Sequence, residues 1–440
     1  MAGTEGTASS ADVGSARALR GHFVLAVTVG GIIGLGILRS PGEVAAVVPD
    51  PFLYLALWLS SGLFVLLSIG VVAELVGMTP RSGGVYALVR HAYGPFSGFV
   101  IGWADWLSYC ANIAVKAVVL MEFVAILFPA TVPWATPLGI FVTTAFAVLQ
   151  LRGIVFAASL QQTISAIVGF AVVGFSLLLF FADPVVATAG SVVPEPRTGL
   201  GAWSLVIATI IFTYDGWLYA SYFSGEIQGG AGAVARSCIK GTVVVIVLYM
   251  LLNTAMVVSV PLPMLAGHEL TLARALELAV SPTASAIVVV AAIVILLSHQ
   301  NLAYMGAPRI LHALASDGLA VKRAQSVGKG GNPVFAVLLT WILAASLIMI
   351  GGFESLIKLC SFLFVPLYIA LISGVLILRI REPNTPRPFR AWGHPYSTVI
   401  VLIGWGIITV VLAVAERETA LYAVAMVAVA WPAYRYLNKG

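Results

Sequence analysis

The chain has 440 residues, 60% of them hydrophobic and 9% charged, with a mean hydropathy of +1.03. So small a charged fraction cannot cover a water-soluble protein of this length, and lipid must solvate the exterior. The net charge of +5 does not point to nucleic acid, because the basic residues punctuate apolar stretches and build no basic patch.

Residues 1–20 are expected to form a disordered N-terminus, without the basic start, apolar core and cleavage site of a signal peptide. Apolar runs long enough to cross about 30 Å of hydrocarbon follow near 22–47, 51–77, 96–128, 137–150, 155–181, 203–224, 241–260, 284–307, 334–350, 356–378, 399–415 and 420–436. The reading is an all-α integral membrane protein of twelve transmembrane helices, since backbone groups in lipid must bond within the segment. Arg197, Arg274 and Arg417 fall on outer loops and Arg39, Lys116 and Lys358 within spans, while the other seventeen of 23 basic residues lie on the inner side. That asymmetry predicts both termini in the cytoplasm. Cys110, Cys238 and Cys360 are far apart, so no disulfide framework, metal site or cofactor is expected.

The first span carries Gly30, Gly31, Gly34 and Gly36 within seven residues. Gly30-x-x-x-Gly34 fits a close-packing face, but each glycine weakens a helix by roughly 1 kcal/mol relative to alanine. An unwound segment at mid-membrane is the functional alternative. In the third span Asp105, Ser108, Tyr109, Asn112 and Lys116 share one face, expected to look into the bundle. Asp105 and Lys116 stand about 16 Å apart along the helix, too far to pair. The sixth span holds Phe212-Thr213-Tyr214-Asp215-Gly216-Trp217, and charge there costs roughly 2.5–3.5 kcal/mol. The plainer reading makes Asp215 the N-cap of a second half-helix; the other makes it a substrate contact, and both interrupt the sixth helix. The eighth span contains Ser298-His299-Gln300-Asn301, where His299 is either simply hydrogen-bonded or a proton relay. Arg39 and Glu43 read as an i,i+4 pair or an outer gate, Glu74 and Arg81 as an inner gate or interfacial anchors.

Interruptions in spans one and six, five helices apart, predict a five-plus-five inverted repeat with discontinuous helices 1 and 6 and a site between the halves. Amides at the start of the outer half of helix one attract a carboxylate, and carbonyls ending the first half of helix six accept from an ammonium group. The backbone chemistry points to α-amino acids. No metal cluster and no nucleophile with a base at helical spacing supports an enzyme. A transporter of amines or polyamines lacking a carboxylate, and a non-transporting membrane sensor, are the competing classes.

The chain resembles the amino acid–polyamine–organocation superfamily, and within it the L-type amino acid transporter-like permeases, from Gly21 to about Arg390. The pieces are Gly31-Ile32-Ile33-Gly34-Leu35-Gly36-Ile37-Leu38-Arg39-Ser40-Pro41-Gly42, Ala73-Glu74-Leu75 with Pro80-Arg81-Ser82-Gly83-Gly84-Val85-Tyr86, Gly102-Trp103-Ala104-Asp105-Trp106, the Phe212 to Trp217 run, and Arg309 with Ser316-Asp317-Gly318. The resemblance implies a LeuT-like fold in one transporter domain, 21–440. Its repeats would cover about 21–182 and 200–380, with two extra helices over about 395–437. It implies secondary transport of α-amino acids, neutral ones by class, by symport or exchange across the plasma (inner) membrane. The substrate carboxylate would meet amides of Gly34, Leu35 and Gly36. Its amino group would meet carbonyls of Ile32, Phe212, Thr213 and Asp215, under the Phe212 ring as gate. Many sodium-independent relatives carry a fifth-helix lysine where this chain has Val168, which leaves a proton or sodium as candidate coupling ion and Lys116, Asp105 and His299 as candidate coupling or gating residues. No cysteine falls in 129–136, so no disulfide-linked ancillary subunit is expected.

Overall fold

The computed structural model of the chain describes residues 21–79, 81–186, 195–328, 330–350, 353–415, 429–432 and 434–435. The N-terminus 1–20 and most of the expected twelfth span, 420–436, lie outside the described residues, as do the side chains of 353–366. Among the described residues every element is helical and there is no β-strand.

The first span comes in two pieces, α1 (Gly21–Ile32) and α2 (Gly36–Ala45). Next is α3 (Pro51–Met78), where the Asp50 carboxylate accepts from the Leu53 amide at 2.7 Å and Pro51 takes the first turn, as an Asp-Pro start favours. Then come α4 (Gly84–Tyr93), α5 (Pro95–Leu127), α6 (Ala135–Gln150) and α7 (Ile154–Phe180). The fourth span begins two residues before its expected 137 and is preceded by a 3-10 turn, Pro129–Trp134, which helps it reach across. The sixth span is also in two pieces: α8 (Leu200–Thr213), then a 3-10 segment over Tyr219–Glu226.

After it, α9 (Gly230–Ser259) starts well before the expected 241. Arg236 and Lys240 hide this first part from a hydropathy reading, yet Ala231, Val234, Ala235 and Cys238 are buried at helical spacing. The chain continues through α10 (Thr271–Ala279), α11 (Pro282–Ser316), α12 (Val334–Ile350), α13 (Phe353–Arg381) and α14 (Tyr396–Ala415). Ser281 caps α11 ahead of Pro282, accepting from the Ala284 amide at 3.2 Å.

The short helices α4 and α10 have no counterpart among the expected spans. At ten and nine residues they cannot cross a bilayer, and they are amphipathic, burying Val85, Tyr86, Leu88, Val89 and Ala92 in one case and Leu272, Ala275 and Leu276 in the other. Among the described residues seven helices are long and apolar enough to cross a membrane, counting α1 and α2 as one, beside three shorter apolar ones. Phe141, Phe170, Ile350 and Ile407 project outward from such helices, which suits hydrocarbon and not water. Inside, α1 packs on α7, α9 and α11, and α2 packs on α8 and α10. The two interrupted spans therefore lie at the centre of the bundle.

Candidate functional site

In the first span the helical ladder stops where Ile33 donates to the Val29 carbonyl at 2.9 Å. It resumes where Leu38 and Arg39 both donate to the Leu35 carbonyl, at 3.0 and 3.2 Å. The amides of Gly34, Leu35 and Gly36 fall in this interval, at the N-terminal end of α2, where backbone donors lack helical partners. In the sixth span Tyr214 still donates to Ile210 at 3.2 Å, and Asp215 turns back to the Phe212 carbonyl at 3.2 Å. Gly216 follows with φ +107°, and a β-carbon there would stand 2.2 Å from the Gly31 carbonyl oxygen. The two breaks thus meet backbone to backbone.

The four glycines of the first span divide the two readings between them. Gly30 lies under Ser165 of α7, and Gly31 lies against Tyr219 and Gly216, both inside regular helix. Gly34 sits in the break, against the His299 ring of α11, and Gly36 abuts Thr213 at the end of α8. Packing explains the first pair and unwinding the third.

The Tyr249 hydroxyl of α9 stands between the two broken helix ends. It donates its one proton to the Ile32 carbonyl at 2.8 Å and to the Thr213 carbonyl at 3.1 Å, and the Gly34 amide lies against its oxygen. Sequence reasoning missed Tyr249. The available signal was Tyr249 with Asn253, two polar groups at i,i+4 within the mostly apolar second half of α9; Asn253 in turn accepts from Tyr54 at 2.6 Å. Thr213 is buried, its hydroxyl 2.7 Å from that of Ser40, which ties α8 to α2. Phe212 is half-buried beside it.

Asp215 is not capped into the next helical segment, whose N-cap is Leu218 without a side-chain bond. Its carboxylate accepts instead from the Tyr368 phenol of α13 and from the adjoining Gly216 amide. Tyr368 is stacked between Trp217 and Trp405, ring centroids 5.2 and 4.4 Å away. A small cavity opens beside Asp215, lined by Val85, Tyr109, Asp215, Gly216, Leu218, Tyr219, Tyr222, Leu367 and Tyr368. Across it Asp105 is wholly buried, both carboxylate oxygens accepting from Tyr222 at 3.0 and 2.9 Å. Lys116 acts electrostatically on Asp215 and on His299, so the α5 stripe does face the break. Its two charged ends serve different neighbours.

His299 Nε2 is 3.1 Å from the Gly31 carbonyl, which places a proton on that nitrogen. Val168 is buried in the apolar core of α7. One turn and two turns before it, hydroxyl and amide groups form a neutral seam between α7, α11 and α6. Gln161 donates to Ser298 at 2.9 Å and to Ser165 at 3.2 Å, Asn301 donates to Gln161 at 3.1 Å, and Gln150 donates to Asn301 at 3.3 Å. Below the seam, Arg309 holds Glu226 through two bonds of 2.7 and 3.1 Å and reaches Asn332 at 3.1 Å.

The remaining charged expectations find other partners. Glu43 pairs with Arg197 at 3.2 Å and Arg39 approaches Glu269 at 3.9 Å, so both reach loops distant in the chain instead of forming only a local pair. Glu74 is bound by Arg379 and Arg387 and by the Ala391 amide, which makes it an anchor for the 382–395 loop. Arg81, Arg90 and Tyr86 converge on Asp317 at the end of α11.

The family model described as amino acid permease matches residues 23–432. The serine/threonine exchanger SteT of Bacillus subtilis (strain 168) is 25% identical over 391 residues, 87% of this chain and 88% of its own. The gamma-aminobutyric acid permease of the same organism is 24% identical over 413 residues, covering 89% and 86%. The b(0,+)-type amino acid transporter 1 of Mus musculus is 26% identical over 379 residues, covering 83% and 77%. With a match across nearly its whole length, and with several apolar helices around two broken ones, the chain belongs to the amino acid permease family, and is a multi-pass membrane transport protein and not an enzyme.

Proposed function

We propose that this permease carries neutral α-amino acids across the plasma membrane by alternating access, as a symporter or exchanger. The observation that carries the reading is the Tyr249 hydroxyl spanning the Ile32 and Thr213 carbonyls. It marks a place where acceptors from both breaks converge on one donor, and an ammonium group with three N–H donors fits the same acceptors. On the other side of the break, the amides of Gly34, Leu35 and Gly36 head α2 and suit a carboxylate. Phe212, half-buried at the end of α8, is the proposed gate, and Asp215 contributes its carbonyl to the amino-group side. The relatives named above transport molecules that carry both a carboxylate and an amine, in keeping with two opposed subsites.

The architecture in this reading is LeuT-like, with twelve spans, both termini cytoplasmic, and an inverted repeat over about 21–182 and 200–380 followed by two extra helices to 437. The short helices support the repeat. The α4 helix follows the second span and α10 follows the seventh, five spans apart, as the two breaks are. An amine carrier would instead draw on Asp105 and Asp215, but each of these carboxylates already accepts from a tyrosine phenol. It would also leave the amides of Gly34 to Gly36 without a ligand.

In liposomes the purified protein should exchange labelled neutral amino acids, with competition by the common neutral amino acids and none by their decarboxylated amines. Amines that compete as strongly as their parent amino acids would overturn the carboxylate assignment.

A further inference from the structure

Asp105 is a buried carboxyl group that substrate binding at the breaks does not use. It is 0% exposed, and both its oxygens depend on the single Tyr222 phenol. The charged and titratable groups on the elements around it are otherwise engaged. On α11, Arg309 is bound to Glu226; on α4, Arg90 and Tyr86 are bound to Asp317; on α13, Tyr368 donates to Asp215, and Asp215 is the charge that acts on Asp105. Lys116, three turns farther along α5, acts on Asp215 and His299. Among the described residues, Asp105 therefore meets phenols and a second carboxyl group, and no cation.

We propose that the coupling ion of this permease is a proton and that the Asp105 carboxyl group carries it. The inference rests on the transport reading above. A sodium ion would need several oxygen ligands around it, whereas Asp105 shares one phenol and offers a single carboxyl group. A proton needs one lone pair. An ionisable side chain within a membrane helix needs a balancing charge or a function, and a carboxyl group that is protonated on one side and deprotonated on the other has one.

The route and the coupling both run through Tyr222. Tyr222 lines the cavity together with Tyr109, Tyr219, Tyr368 and Asp215, and a phenol can both donate and accept a hydrogen bond. Tyr222 also belongs to the 3-10 segment Tyr219–Glu226, on the far side of the break from α8. When that segment shifts relative to α5, an ionised Asp105 loses its hydrogen-bond donor, while a protonated one loses much less. Movement of the segment is thus tied to protonation: Asp105 takes a proton from outside, the segment moves with substrate bound, and the proton leaves inward as the carboxylate re-forms.

The test uses the full chain in sodium-free liposomes with a pH-sensitive dye inside, the membrane potential clamped at zero, and an equimolar mixture of neutral L-amino acids as probe. Exchange of label without any gradient reports the transport reading alone. An inward proton gradient of one pH unit should drive about tenfold accumulation for one proton per zwitterion, with acidification inside. Asp105→Asn should keep exchange but show no accumulation and a silent dye, and Asp105→Glu should restore both. Should Asp105→Asn fail to fold, Tyr222→Phe is read in its place, with accumulation expected to fall severalfold and exchange to persist. Wild-type protein that exchanges label but neither accumulates on the gradient nor moves protons overturns the proposal, as does unchanged coupling in Asp105→Asn or, in its place, Tyr222→Phe. Absence of exchange in the wild type would instead strike the transport reading.

Discussion

Gly216 shows how one residue holds the two breaks together. Its backbone turns at φ +107°, a region that disfavours any side chain, and a β-carbon would press into the Gly31 carbonyl at 2.2 Å. Gly216→Ala is therefore expected to combine backbone strain of about 1–3 kcal/mol with separation of α1 from the sixth span. Thermal unfolding in detergent should show a lower midpoint and the variant should lose transport; wild-type values for both would refute this contact. Glycine spacing made the first break legible in the sequence, and the Thr213-Tyr214-Asp215-Gly216 run made the second legible. The groups that complete the site were not. Tyr368 has no local mark and Tyr249 only Asn253 one turn on, because their partners are a carboxylate and carbonyls on helices distant in the chain. Asp215 was expected to cap the next segment; the Tyr368 phenol takes the carboxylate instead, since Gly216 leads the chain away before a helical turn can form.

At the scale of elements, α4 is latched to the end of α11. Tyr86 donates to Asp317 at 2.7 Å, Arg81 pairs with it at 3.1 Å, and Arg90 forms a third contact. Burial alone would push the Asp317 carboxyl group up; the hydrogen bonds from Tyr86, Arg90 and Arg81 outweigh it and hold it below the usual carboxylate range. A depressed value means that the latch is fully formed above an unfolded value of about 3.9 and is lost only as pH falls through the lower folded value. At neutral pH the latch therefore stays charged. Asp317→Asn should weaken it by about 1–3 kcal/mol, the scale of hydrogen bonds to charged groups. Val85 lies behind the latch, buried, on the wall of the cavity. A cysteine at Val85 should react with a cytoplasmic thiol reagent about fivefold faster or more in the Asp317→Asn background, and an unchanged rate would dismiss the latch. The spans were readable because hydropathy is a sum over some twenty residues. The helices α4 and α10 were not, because each is too short and too polar on one face to register in such a sum.

At the scale of the whole molecule, the ion pairs among the described residues join ends that the charge asymmetry assigns to one side. Glu43 meets Arg197 and Arg39 approaches Glu269 on the expected outer side; Glu74 meets Arg379 and Arg387, Glu226 meets Arg309, and Asp317 meets Arg81 on the inner. In a cysteine-free background, Trp134→Cys should be labelled in intact cells by a membrane-impermeant thiol reagent, and Val327→Cys only after permeabilisation, both positions being exposed. Labelling of both from one side would break the topology. The seam at Val168 bears on the membrane potential. A potential of 100 mV does about 2.3 kcal/mol of work on each elementary charge carried fully across. Between α7 and α11, Gln161, Ser165, Ser298 and Asn301 form the seam with neutral groups. Rearrangement of that seam moves no fixed charge through the field, so voltage does no work on this part of the carrier.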